Sequence, residues 1–265
     1  AGLPANRVAV SRGSMINNSP SLWKTKLPRP EKDGHKYDRG LALIYGAPEL
    51  TGATRLAASS CARIGAGMTT VLSSAEVASV YRTALPAHLM VRNNLDWWDD
   101  HVSARLYGSG GLPCDIDFAK DVPTVLDADA LKHLPDTLGP HYILTPHDGE
   151  LTRAFPDIKG EREDKARIAA GQSEAIIVLK GAQTVIAAPD GQCVMNDHSS
   201  PYLASAGTGD VLAGLMTGLC AAGMEPFFAA CAAVWMHGEA GKCIGAGLVA
   251  SDIPDTLPSI LKGLL

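Results

Sequence analysis

From residue 40 onward the chain alternates short continuous apolar runs with stretches of helical period, and several of the runs end in polar clusters. That alternation admits few architectures. An uninterrupted run such as Leu41-Ala42-Leu43-Ile44-Tyr45 suits a strand covered on both faces, and strands that alternate with helices pair in parallel, so the expected class is α/β. The pattern predicts strands over 40–46, 68–72 and 89–91, with helices over 50–64 and 75–83. Further strands fall within 123–131, 141–150 and 175–179, and a hairpin turns through Pro189-Asp190-Gly191. Three helices are expected after residue 210. Residues 1–40 show no period and are rich in Pro, Ser, Asn and basic residues. We expect an extended arm or linker over 1–26 and one domain over 27–265.

Three strand ends carry chemistry. The first delivers Asp127 and Asp129, the second Thr145-Pro146-His147-Asp148-Gly149-Glu150, and the third Lys180-Gly181-Ala182-Gln183-Thr184. In open parallel sheets ligands bind beyond the carboxyl ends of the strands, so these clusters mark one edge of the sheet as the working edge. Each has a structural alternative: His147 as a partner of the next turn, Asp127 and Asp129 as helix N-caps, Lys180 as a solvated strand end.

A fourth stretch, Ala204-Ser205-Ala206-Gly207-Thr208-Gly209-Asp210, runs into apolar residues spaced as one face of a helix. Small residues let backbone N–H groups approach a ligand, and a helix N-terminus favours phosphate oxygens. Asp210 stands beside that anion site as a candidate base. Neither familiar phosphate loop is present: the dinucleotide pattern requires glycine where Leu212 stands, and no GxxxxGK[ST] occurs.

A net charge of −5 over 265 residues argues against a nucleic-acid or acidic-membrane surface. The six cysteines are scattered, without a CxxC pair or histidines at zinc-ligand spacing, which implies buried reduced thiols and a cytoplasmic location. No apolar run is long enough to span a bilayer. Residues 93–123 resist assignment, and Trp97-Trp98 within them is expected to cover a core edge.

Together, Leu126-Asp127-Ala128-Asp129-Ala130-Leu131, Leu144-Thr145-Pro146-His147-Asp148-Gly149-Glu150, Leu179-Lys180-Gly181-Ala182-Gln183-Thr184 and Gly207-Thr208-Gly209-Asp210-Val211-Leu212-Ala213-Gly214 resemble, in order, the motif series of the ADP/ATP-dependent NAD(P)H-hydrate dehydratases. Leu50-Thr51-Gly52-Ala53 and Ile64-Gly65-Ala66-Gly67 match as well, and the resemblance covers residues 27–262. It implies a ribokinase-like three-layer sandwich, with a central, mostly parallel sheet, helices on both faces and no separate lid domain. It also implies a hydro-lyase that repairs hydrated NADH or NADPH: ADP or ATP phosphorylates the ring hydroxyl, and phosphate then leaves.

By resemblance, Ala53, Gly110, His147 and Asp210 contact the hydrated dinucleotide, with Asp210 the catalytic base. Lys180, Gly181, Ala182, Gln183, Thr184, Gly207, Thr208 and Gly209 take the adenine nucleotide, and Glu150 helps hold Mg²⁺ through water. An NAD(P)H-hydrate epimerase is the implied functional partner, and Ala1-Gly2-Leu3-Pro4 resembles the tail of the epimerase domain that precedes this one in bifunctional enzymes. A homo-oligomer is also implied. The same residues suit two other activities: a ribokinase-like kinase of a small alcohol, and a nucleotide-binding module without turnover.

The sequence departs from the pattern mainly on the substrate side. Gly108-Ser109-Gly110-Gly111-Leu112 replaces a Gly-Pro-Gly-Leu-Gly turn, and the segment up to Asp127 is short enough to lack a helix. Lys132, Ser200-Pro201-Tyr202 and Ala206 are further departures.

Overall fold

The computed structural model describes residues 15–265. In chain order its elements are β1 (Ile16–Asn17), α1 (Pro20–Trp23), β2 (Leu41–Tyr45), α2 (Thr51–Ile64), β3 (Met68–Leu72), α3 (Ala78–Ala84), β4 (Met90–Arg92), β5 (Val102–Tyr107), β6 (Thr124–Leu126), β7 (Tyr142–Leu144), α4 (Asp148–Ala154), α5 (Arg162–Ser173), β8 (Ile176–Leu179), β9 (Thr184–Ala187), β10 (Cys193–Asn196), α6 (Thr208–Ala221), α7 (Pro226–Ile244) and α8 (Asp252–Leu264). The strands form a ten-stranded sheet in the order β1-β10-β9-β8-β7-β6-β5-β2-β3-β4. Among the described residues only the β8–β9 and β9–β10 strand pairs are antiparallel. Chain order reverses where β2 pairs with β5, the position at which an α/β sheet opens a crevice for ligand.

Side-chain alternation explains the continuous apolar runs. Ala42, Ile44, Leu106, Val125, Ile143 and Val178 face a core shared with α2, α3, α6, α7 and α8. Leu41, Leu43, Tyr107, Leu126, Leu144 and Ile177 face the other way, onto a second core under α4 and α5. Both faces are buried, so neither set can be polar. No helix among the described residues is long and apolar enough to cross a membrane.

Two regions differ from the sequence reading. Residues 15–26 are not a free arm: β1 extends the sheet beside β10, and Trp23 is fully buried, its ring 5.8 Å from that of Trp235. Asn18 ties the segment in, donating to Asn196 at 2.9 Å and to the Cys231 carbonyl at 2.7 Å. A two-residue strand has no period to detect, which is why composition alone suggested a linker. The earlier part of the arm, and Ala1 to Pro4 with it, lies outside the described residues.

The second region is 93–123. It contains the central strand β5, hidden in the sequence because Arg105 interrupts its apolar run. Arg105 is fully buried and holds the segment that follows: Nη1 donates to the Asp117 carbonyl at 2.8 Å, Nη2 to that of Lys120 at 3.3 Å, and Nε to Thr124 Oγ1 at 3.2 Å. No helix lies between β5 and β6, as the short segment implied. Leu112, Ile116 and Phe118 pack on the sheet instead, and Trp97 and Trp98 cover the core edge as expected.

Candidate active site

The carboxyl ends of β2, β5, β6, β7 and β8 meet the N-terminus of α6 along one edge. Gly207 caps α6 at φ 88°, a left-handed conformation that glycine adopts without strain, and the helix begins at Thr208. Asp210 therefore sits in the first turn, half-buried. Burial first, then the neighbouring Asp127 carboxylate, push its carboxyl up to about 6, against the opposing influence of Ser109 and Lys180. A carboxylate so tuned is ionised at neutral pH yet basic enough to accept a proton.

Lys180 gathers the acidic groups. Its Nζ lies 3.0 Å from Asp127 Oδ1 and 3.8 Å from Glu150 Oε2, and a Cβ placed on Gly209 would meet it at 3.8 Å. It is thus half-buried against the α6 turn rather than solvated. Asp127 is buried, accepts from Thr145 Oγ1 at 2.6 Å, and makes no capping bond to the 3₁₀ turn after it. Asp129, expected as an N-cap, is not one: it pairs with Lys132 on the surface, one turn further on.

His147 caps α4. Its Nδ1 accepts from the Gly149 and Glu150 N–H groups at 3.0 and 3.3 Å, while Glu150 Oε2 accepts from the His147 N–H at 2.8 Å. The alternative local role is therefore real, and it has a chemical consequence. With Nδ1 accepting from the backbone, Nε2 is left as the ring's donor, and it lies 3.6 Å from Glu150 Oε1.

At the switch point, Gly110 approaches α2 so closely that a Cβ would lie 2.5 Å from the Leu50 carbonyl and 2.8 Å from the Ala53 Cβ. Thr54 locks this contact, accepting from the Ala47 N–H at 2.9 Å and donating to the Ser109 carbonyl at 3.1 Å. Ala53 and Gly110 are thereby brought together, with Ser109 beside Asp210.

On the other side of the α6 turn lies a cleft of about 350 Å³ lined by Lys180, Gly181, Ala182, Thr184, Thr208 and Gly209. Gln183 is exposed, and neither it nor Gly207 lines the cleft. Asn196, Leu203 and His237 also line it and were not singled out from the sequence, and Ser200, noted there as a departure from the pattern, lines it too. His237 is buried, its Nε2 lacks a partner, and burial pushes its pKa down to about 4, so the ring is neutral. Its only sequence signal is a polar residue on the apolar face of α7. A larger cavity of about 480 Å³, lined by Leu27, Arg39, Arg63 and Leu219, lies at the amino-terminal edge of the sheet and contains none of these residues.

Comparisons with known proteins place the chain in a family. The sequence model of a family described as NAD(P)H-hydrate dehydratase matches residues 41–262. An ADP-dependent (S)-NAD(P)H-hydrate dehydratase from Bacillus subtilis is 32% identical over 266 residues, covering 90% of this chain and 95% of that one. A bifunctional NAD(P)H-hydrate repair enzyme from Moorella thermoacetica is 35% identical over 302 residues, covering 99% of this chain, which spans only 57% of that relative. The crystal structure of the B. subtilis ADP/ATP-dependent NAD(P)H-hydrate dehydratase, co-crystallized with ATP and Mg²⁺, superposes with a TM-score of 0.83 at 31% identity, over 95% of this chain and 99% of that one.

Proposed function

Because the chain belongs to the NAD(P)H-hydrate dehydratase family, we propose that it restores hydrated NADH and NADPH, using a phosphoryl group from ADP or ATP. One observation carries the mechanism: Asp210, with its raised pKa, stands between the cleft behind the α6 turn and the Ala53–Gly110 contact. The nucleotide occupies the first, its phosphates over the N–H groups of the α6 turn and of the Lys180–Thr184 turn. The damaged nicotinamide lies against the second, within reach of His147.

Asp210 takes the proton of the ring hydroxyl as that oxygen attacks the terminal phosphorus. A new O–P bond forms, the bridging O–P bond breaks, and AMP or ADP leaves. Lys180 neutralises charge on the transferring group. The ring carbon–oxygen bond then breaks, phosphate departs with the electron pair, and loss of a proton from the adjacent carbon restores the double bond. Ordering both reactants along one rigid edge supplies the alignment.

A divalent ion would stabilise the charge of the transferring group. Among the described residues no three His, Cys, Asp or Glu side chains converge as a metal site. The donor set instead suits Mg²⁺ brought in by the nucleotide, with Glu150 reaching its hydration shell, because Mg²⁺ keeps several waters and pairs with one or two carboxylates.

The reading includes an NAD(P)H-hydrate epimerase as functional partner, a homo-oligomeric assembly and a cytoplasmic place of action. Product stoichiometry tests it. One orthophosphate should be released for each nicotinamide restored. A stable phosphate ester of a small alcohol, formed with no orthophosphate, would instead identify a kinase.

A further inference from the structure

Arg162, the first residue of α5, lies beneath the Lys180–Thr184 turn without lining the cleft. Its Nη2 donates to the carbonyl oxygens of Leu179 and Lys180, each at 3.0 Å, and its Nη1 pairs with the Asp148 carboxylate. A Cβ on Gly181 would fall 2.6 Å from Nη2 and 3.0 Å from Cζ, so the guanidinium rests directly against that glycine. The Nε is buried without a partner, which distinguishes this side chain from a solvated surface arginine.

These contacts have a geometric consequence. In a trans peptide the N–H points opposite to the carbonyl, so fixing the Lys180 carbonyl fixes the direction of the Gly181 N–H. Asp148, at the other end of the bridge, lies between His147 and Glu150 at the start of α4. A guanidinium fork can hold two carbonyls and a carboxylate at once, which an ammonium cannot do with the same geometry.

We propose that Arg162 is a positioning residue for nucleotide binding: it sets the Lys180–Gly181 peptide plane and ties that turn to the helix bearing His147 and Glu150. The inference rests on the reading that this turn holds ADP or ATP.

Calorimetric titration with ADP and Mg²⁺, in the absence of hydrated NADH, tests it on the unmodified chain, Arg162→Ala and Arg162→Lys. Arg162→Ala should weaken ADP by about tenfold, the size of one phosphate contact from the turn lost through misalignment. Arg162→Lys should recover little of this, while added guanidinium ion should restore affinity to Arg162→Ala. The KM for ADP should rise by the same factor, with kcat changing less. A folded Arg162→Ala variant that binds ADP like the unmodified chain overturns the inference. So does a loss that guanidinium leaves unrepaired and that falls equally on kcat, since that is the mark of general destabilisation. If Arg162→Ala does not fold, Arg162→Lys carries the test, and wild-type ADP affinity in it is the contrary result. Absence of binding of both ADP and ATP by the unmodified chain overturns the nucleotide reading, and this inference with it.

Discussion

The two ends of the site are built by different means. At the end proposed for the nucleotide, residues of two glycine-containing turns line a cleft, and regular elements, α6 and the β8–β9 pair, hold them. At the substrate end, Ser109 and Gly110 belong to a stretch that crosses from β5 to β6 without a helix, braced by the buried Arg105. Phosphate can be held by peptide groups that any well-formed helix start provides. Proton transfer needs a carboxylate with a shifted pKa, and the shift at Asp210 comes from burial and from Asp127. The carboxylate itself rides on the regular helix α6, and the irregular end contributes Ser109 beside it.

Removing the brace is the severest challenge to this contrast. Arg105→Met leaves the Asp117 and Lys120 carbonyls without their donor, and unfolding free energy should fall by about 3 kcal/mol, measurable by urea denaturation. In the surviving folded protein kcat should drop while ADP affinity holds; equal damage to both would show that the ends are not separable. Next in size is Lys180→Ala, for which we expect kcat to fall about a hundredfold, with a smaller rise in KM for the nucleotide in steady-state assays.

The pH dependence sharpens the comparison further. Asp210 must be ionised to act as base, so kcat/KM should fall about tenfold per pH unit below its pKa of about 6 and be level above it. Stability supplies two further effects, and they have opposite signs. Asp210 has a folded pKa raised from 3.8 to about 6, so the neutral form is favoured, and its contribution is lost as pH rises through that window. Asp210→Asn should accordingly gain in melting temperature over the unmodified chain above pH 6, relative to their difference in acid. His237 has a folded pKa lowered from 6.5 to about 4, so its contribution is lost as pH falls between those values. His237→Leu should remove that part of the acid destabilisation in thermal melts.

The same contrast decides what could be read from the sequence. The strands β2, β3 and β8 and the helices α2 and α6 were legible because both-face burial and helical period leave regular patterns. The turns proposed for the nucleotide were legible because glycines next to an apolar run mark a helix or strand end. β5 was not, since a buried arginine with carbonyl partners looks like any polar interruption. β1 and Trp23 were missed because two residues of strand have no period, and a single anchoring tryptophan has no neighbours in sequence that announce it. Arg162 touches residues distant in the chain, which no local pattern encodes, and His237 showed only as a polar residue on the apolar face of α7.

The central claim is that Asp210 accepts the proton of the ring hydroxyl. It is tested most directly by following the near-ultraviolet absorbance of reduced nicotinamide after hydrated NADH is mixed with the chain, Mg²⁺ and ADP or ATP. The account predicts recovery that depends on nucleotide and falls about a thousandfold in Asp210→Asn, with ADP binding retained. Undiminished recovery by Asp210→Asn would contradict it.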